Sequence, residues 1–265
     1  MSEIRPATVA GLFYPGSSRE LLPMVEGFLA AAAGSEPNQS PKAVIAPHAG
    51  FIYSGPIAGS AFRCFAGDAP QIRRIILMGP AHRLPVRGVA LAGQEAFETP
   101  LGKVPVDSEM VGQISDMPQV SVNPAAHAPE HCLEVELPFL QQVLGEFSIL
   151  PLLVSSATAE EIAEVLERLW GGPETRIVIS SDLSHYLTYE TARQTDRETA
   201  QQVVELDGRL EEHRACGAVA INGLMEAARR HGLIPRLLDL RNSGDTAGDR
   251  TRVVGYGAFA FIEPS

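Results

Sequence analysis

Cysteine is scarce in this chain. The three present, Cys64, Cys132 and Cys216, are odd in number and far apart. They form no CxxC pair, which argues against a disulfide framework or a zinc ribbon and for the reducing cytoplasm. Long apolar runs are missing too, since nothing approaches the roughly 18 residues that a membrane span needs, and no membrane partner is expected. Met1–Pro6 has no basic stretch leading into an apolar one, so a secretory signal is not expected either. Positive charge is in deficit, with 21 Lys and Arg against 32 Asp and Glu and a net charge of −11. That field repels a phosphate backbone and no basic run offsets it, so nucleic acid is not an expected partner. No GxSxG elbow, P-loop or GxGxxG appears, which leaves serine hydrolases and nucleotide binders of those types without support. Internal repeats and low-complexity segments are absent as well.

What is present is an ordinary globular composition. The hydrophobic fraction of 45% supplies a large core, and 265 residues fit one large α/β domain spanning 1–265. Gly34–Pro41 is the one linker-like stretch, too short to separate domains. Before it, Ser17 and Glu20 have capping-box spacing ahead of the apolar run LLPMVEGFLAAAA. After it, short apolar runs predict strands at Ala43–Ala46, Ile75–Met78, Ser148–Val154, Arg176–Ser180, Arg236–Leu240 and Val253–Ile262. Amphipathic stretches predict helices near Pro56–Phe65, Glu134–Leu144, Ala159–Trp170, Tyr189–Leu206 and Gly217–Arg230. That alternation points to a mostly parallel or mixed central sheet flanked by helices on both faces. Val86–Val106, with turn signals at Gly93 and Gly102, reads as an inserted hairpin or edge strands.

Several of the apolar runs end in polar residues at their C-terminal edge. VIAP leads to His48, IILMGPA to His82, RIVISSDLS to Asp182 and His185, and LLDLRNSG to Asp245. If these strands are parallel neighbours, all four endings meet at the rim where open α/β sheets bind ligands. Imidazole and carboxylate together suit a first-row divalent ion. Two His and one carboxylate with open positions is the non-haem Fe(II) pattern, while zinc or copper are alternatives on the same side chains. His185 is then left as a general acid/base, and Asp182 could orient it or a ligand histidine through a hydrogen bond. In APEHCLEVELPFL, Glu130 and His131 project from the first turn of a helix whose buried side carries Leu133, Leu137 and Leu140. Its Cys132 reads as a small buried thiol.

Plainer readings stand beside these. A strand-end histidine often caps a loop, Asn-Ser-Gly-Asp makes an ordinary turn, and Asp182 with Ser184 could cap the next helix. Tyr53 and Phe51 fit either a pocket for an aromatic substrate or core packing. His127, His213 and His231 read as solvated.

The strings PHAGFIYSG, GPAH, EHCLEVELPFL, SSDLSH and NSGD followed by RVVGYGAFAF, with RPATVAGLFYPGS at the start, resemble the Memo family. Its microbial members are also called AmmeMemoRadiSam system protein B. The resemblance runs over nearly the whole chain with the motifs in order. The family is similar in fold to the class III extradiol (LigB-type) ring-cleavage dioxygenases, which hold iron on two His and one carboxylate. The resemblance therefore implies His48, His82 and Asp245 as metal ligands, with Fe(II) as the expected ion. It implies His185 as the catalytic acid/base and His131 as a second catalytic histidine in the same pocket. Animal members, mediators of ErbB-driven cell motility, carry a cysteine at the position of Asp245; the carboxylate here is closer to the dioxygenase pattern. The expected function is an Fe(II)-dependent dioxygenase acting on a catechol-like or other small aromatic substrate. A non-catalytic metal- or peptide-binding adaptor and a zinc-dependent hydrolase are the alternatives. The microbial name further implies a functional association with an AMMECR-type protein and a radical SAM protein.

Overall fold

In the computed structural model, residues 3–32 and 40–264 are described; the linker-like stretch falls largely outside them. After strand β1 (Ile4–Arg5) come helix α1 (Ser18–Ala31), β2 (Ala43–Ala46), α2 (Phe51–Arg63) and β3 (Arg74–Pro80). Three short strands follow, β4 (Val89–Leu91), β5 (Ala96–Thr99) and β6 (Gly102–Pro105). Next are α3 (Ser108–Ile114), β7 (Val120–Val122), α4 (Pro124–His127) and α5 (Cys132–Val143). The second half runs β8 (Ser148–Val154), α6 (Ala159–Arg168), β9 (Thr175–Ser180), β10 (His185–Leu187) and α7 (Tyr189–Glu205). It closes with α8 (Ala218–His231), β11 (Ile234–Asn242) and β12 (Val253–Ile262).

The main sheet has the order β10-β12-β2-β9-β3-β8-β4-β7, with β11 on the far side of β12. Its centre, β2-β9-β3-β8, is parallel. Strand β12 runs antiparallel to β2, and β4 antiparallel to β8, so the sheet is mixed. Alternate residues of each central strand face opposite layers, as a two-residue period requires. Ile45, Ile76, Leu150 and Ile177 face α6 and α8, while Val44, Ile75, Ile149 and Val178 face α1, α2 and α5. All eight are fully buried, each contributing on the order of 2 kcal/mol from apolar burial. This is the α/β architecture with helices on both faces that the sequence predicts.

Local expectations shift in instructive ways. Val86–Val106 does hold a hairpin, β5 pairing with β6 across Thr99 and Gly102, but β4 joins the main sheet. Helix α2 begins at Phe51 rather than at Pro56, so the proline sits inside the helix. The lost backbone hydrogen bond is outweighed by burying Phe51, which is 1% exposed. Ser17 precedes α1 without capping its backbone; its hydroxyl donates instead to Glu20 Oε2 at 2.9 Å. Among the described residues no helix is long and apolar enough to cross a membrane.

Candidate metal centre

The central parallel strands all point their C-terminal ends at one rim, and the site is assembled there. His48 follows β2 and Pro47, and it is 2% exposed. Its backbone N–H donates to Asp182 Oδ1 at 2.8 Å, and its Nδ1 lies 2.7 Å from Ser180 Oγ at the end of β9. Ser180 Oγ also lies 2.7 Å from Glu136 Oε1 and 2.9 Å from the Cys132 carbonyl. Burial pushes the Glu136 carboxyl far up, so it keeps its proton. A neutral Glu136 donates to Ser180, and the one hydroxyl hydrogen of Ser180 goes to the Cys132 carbonyl. The oxygen left then accepts from His48 Nδ1–H, which leaves Nε2 as an acceptor facing Cys216 Sγ at 3.3 Å. Burial, with His82 and His131 close by, pushes the His48 imidazolium far down and keeps the ring neutral.

His82 follows β3 and meets the start of α5. Gly79 permits this approach, because a Cβ there would stand 2.8 Å from Cys132 Sγ and 3.0 Å from Leu133 Cδ2. Glu130 Oε2 accepts the His82 backbone N–H at 2.6 Å, and Oε1 lies 3.0 Å from His82 Nδ1. The same Oε1 accepts the backbone N–H groups of His131 and Cys132 and lies 3.0 Å from His131 Nδ1. Burial alone would raise the Glu130 carboxyl. The His131 and His82 contacts overcome it and hold the group far below the usual carboxylate range. A carboxylate behind a histidine in this way orients the ring and raises its basicity toward a metal.

The three rings form a compact group. His82 stacks on His131 at 4.9 Å between centroids, and His48 stands edge-on to them at 5.2 and 5.5 Å. One nitrogen of each ring lies within 4.8 Å of the other two. Three imidazoles, two of them anchored through Nδ1, are a donor set for a first-row divalent ion such as iron, zinc or copper. The residues present fit such an ion.

These histidines line a cleft of about 780 Å³, together with Phe13, Tyr53, Asp182, His185, Tyr186 and Tyr256. His185 opens β10 and pairs with Val254. Burial raises the Asp182 carboxyl, opposed by the nearby His185 and by the His48 and Ala49 N–H groups. The N-terminal segment supplies one wall: Phe13 packs 4.7 Å from the His131 ring, and its carbonyl accepts the Phe51 N–H at 2.7 Å. Another cavity, about 480 Å³ beside Leu91, Val106 and Leu150, contains no histidine or cysteine.

Asp245 is not brought to this group. It is exposed in a 3-10 turn, where Oδ2 accepts the Asn242 N–H at 3.0 Å and Oδ1 accepts from Tyr189 Oη at 2.5 Å. The reason is local: Ser243, Ala247, Gly248 and Asp249 of the same loop line the cleft, but the Asp245 carboxylate is turned onto the Asn242 N–H and the Tyr189 hydroxyl. His131 stands with His48 and His82 instead, from a helix N-terminus rather than a strand end. His127 is also unlike its expectation: it is 1% exposed, with Nε2 2.8 Å from the Ala90 carbonyl, and burial lowers it to about 4. His231 is half-buried against Trp170, and only His213 is solvated as expected.

Sequence reasoning missed Ser180, Glu136 and Cys216. Cys216 Sγ lies 3.3 Å from His48 Nε2, on the loop before α8. Ser180 sits in the SSD string that drew attention only to Asp182. Asp196 is a further omission: it is 2% exposed, and its Oδ1 accepts the Ser184 N–H at 3.0 Å, which holds the turn ahead of His185.

The chain matches the family described as Memo-like protein over residues 5–260. It belongs to the Memo family. A MEMO1 family protein of Nitrosopumilus maritimus (strain SCM1) is 34% identical over 98% of this chain and 100% of its own length. One of Aquifex aeolicus (strain VF5) is 34% identical over 98% and 99%. A third, of Aeropyrum pernix, is 35% identical over 97% and 99%. Nearly the entire length of each relative is therefore represented in this Memo chain.

Proposed function

We propose that this Memo protein is a metal-dependent oxygenase holding one divalent ion, iron(II), on His48, His82 and His131 and acting on a small aromatic diol. The observation that carries the reading is the convergence of three imidazoles, with Ser180 and Glu130 behind His48 and His82, on an open cleft. An iron(II) ion held by such donors would supply open positions at which a diol and dioxygen meet. The protein's own groups have separate tasks. His185 faces the same cleft and takes the proton of one aromatic hydroxyl. Asp182 fixes the His48 backbone by accepting its N–H at 2.8 Å and lines the same cleft as His185. Phe13 and Tyr53 give the cleft flat apolar walls that keep water from the reacting ring. The cytoplasm is the setting, and association with an AMMECR-type and a radical SAM protein belongs to the same reading.

The donor set itself favours a second reading. Three neutral imidazoles with a vacant fourth position are also how zinc is held where it makes a bound water nucleophilic, with His185 as base. Metal analysis of untagged protein purified without added metal separates the two. The oxygenase reading expects stoichiometric iron after anaerobic reconstitution, oxygen uptake with members of a catechol panel, and loss of the ion in His48→Ala, His82→Ala and His131→Ala. Zinc at full occupancy with ester hydrolysis and no oxygen uptake would establish the hydrolase instead. Retention of the ion in all three variants would remove both.

A further inference from the structure

Two arginines face the cleft, Arg83 directly after His82 and Arg252 directly before β12. Some arginines elsewhere in the chain, such as Arg5, Arg74 and Arg230, reach carboxylates, and others, such as Arg87 and Arg209, have no ion pair among the described residues but lie outside this cleft. Among the described residues, the guanidinium groups of Arg83 and Arg252 have neither an ion pair nor a hydrogen-bond acceptor. In a protein with 32 acidic against 21 basic residues, two cations left without acids at one opening concentrate positive potential there. The acids of the cleft offset it only in part, since Asp249 supplies one negative charge against the two arginines. Asp249 Oδ1 accepts from the Thr251 N–H at 2.7 Å, and Asp182 is turned inward onto the His48 N–H.

Tyr186 adds a shape. It has φ of 60°, a left-handed conformation that a bulky aromatic rarely adopts. It is 63% exposed, so core packing does not explain that backbone. The conformation is held by β10 pairing on both sides, His185 with Val254 and Leu187 with Val253, where the register shifts. Arg252 lies over the ring, its Cζ 5.0 Å from the centroid. Strain kept at an exposed position beside candidate catalytic groups is the kind that serves a site. The result is a flat aromatic wall with a cation on it, beside His185 in the same cleft.

We propose that the cleft takes a planar organic anion, an aromatic or conjugated carboxylate, with its flat face against Tyr186 and its charge held by Arg83 and Arg252. This rests on the small-aromatic-substrate reading above and makes that substrate a carboxylate. Arginine forks suit the two carboxylate oxygens, and a stacked arginine is pre-ordered for the task.

The test uses metal-free protein at about pH 8, where imidazoles are neutral, titrated with benzoate and with benzamide by ligand-observed NMR. The two probes share a shape and differ in charge. Benzoate is expected to bind about tenfold more tightly, as one charge-assisted contact allows. An R83Q/R252Q double variant with unchanged thermal unfolding is expected to bring the two affinities within about twofold of each other. Equal affinities in the parent protein, discrimination that survives in the double variant, or no binding of either probe would each overturn the proposal. Iron titration reads the metal separately. Discrimination without iron binding would sink the oxygenase and leave the anion site standing; iron binding without discrimination would do the reverse.

Discussion

Arg5 and Glu134 offer the sharpest stability test. They are 2% and 0% exposed, and Arg5 Nη1 lies 2.6 Å from Glu134 Oε2. The arginine also donates to the carbonyls of His127, at 2.8 Å, and Glu130. Around Glu134, the Thr8 and Val9 N–H groups and the Tyr14 hydroxyl donate at 2.9, 3.0 and 2.7 Å. Arg5→Met keeps the bulk and strands the carboxylate. Breaking one side of a buried pair costs about 3–5 kcal/mol; the donors remaining on Glu134 put the expected loss near the lower end, about 3 kcal/mol. The sign with pH follows. Burial would raise the Glu134 carboxyl, but Arg5 and the surrounding donors hold it below its ordinary value. Its stabilisation is therefore present above the unfolded carboxylate pKa and lost as pH falls through the lower folded value. Without Arg5 burial dominates, Glu134 takes a proton at higher pH, and the variant's deficit narrows in acid. Urea unfolding near neutrality and again at about pH 5 measures both effects. A loss under about 1 kcal/mol near neutrality would refute the reasoning. So would a deficit that widens in acid.

Three further outcomes are expected. Ser180→Ala frees the His48 ring and should weaken iron or zinc binding by about tenfold or more, read by calorimetric titration; unchanged affinity would remove the anchoring role. Asp196 is raised to about 6 by burial, so the stability of its protonated form is complete below the unfolded pKa and lost as pH rises through about 6. Asp196→Asn should flatten the stability profile between those limits, by about 3 kcal/mol at most, and an unchanged slope in a pH series of unfolding curves would contradict it. Asp245→Asn should leave metal stoichiometry intact while costing about 1 kcal/mol as a weakened turn cap; loss of the ion would return Asp245 to the ligand set.

How far the sequence could be read depends on the kind of signal. Strands β2, β8 and β12 have the boundaries predicted, because fully buried strands leave uninterrupted apolar runs. His48 and His82 were visible for the same reason, as polar residues closing such runs. Asp245 had the same local appearance, yet its carboxylate closes its own turn and meets Tyr189, a partner 56 residues away that no single run reveals. His131 was placed in the pocket but not among the ligands, since its position depends on how closely α5 approaches Gly79. Helix α5 also conceals Glu134 and Glu136. Charged residues at i and i+2 of an amphipathic pattern read as a solvated face. Here the helix is buried all round, between the sheet on one side and the segment 5–14 on the other.

On the proposed ligand set, an imidazole in place of a carboxylate would alter the charge of the site as well as its geometry. A dication held by two histidines and an aspartate keeps one net positive charge, whereas three neutral histidines leave both. Glu130 lies behind the rings rather than on the open side, where its charge acts through His82 and His131. Arg83 and Arg252 then add to the positive potential on the side from which a ligand enters. A neutral substrate would leave that field unanswered. A diol that gives up a proton to His185 and also carries a carboxylate would balance it. On the proposed reading, three imidazoles around an ion and two arginines without ion pairs would each make an anionic ligand more favourable, and an ion held with no negative donor would depend on its substrate for neutrality.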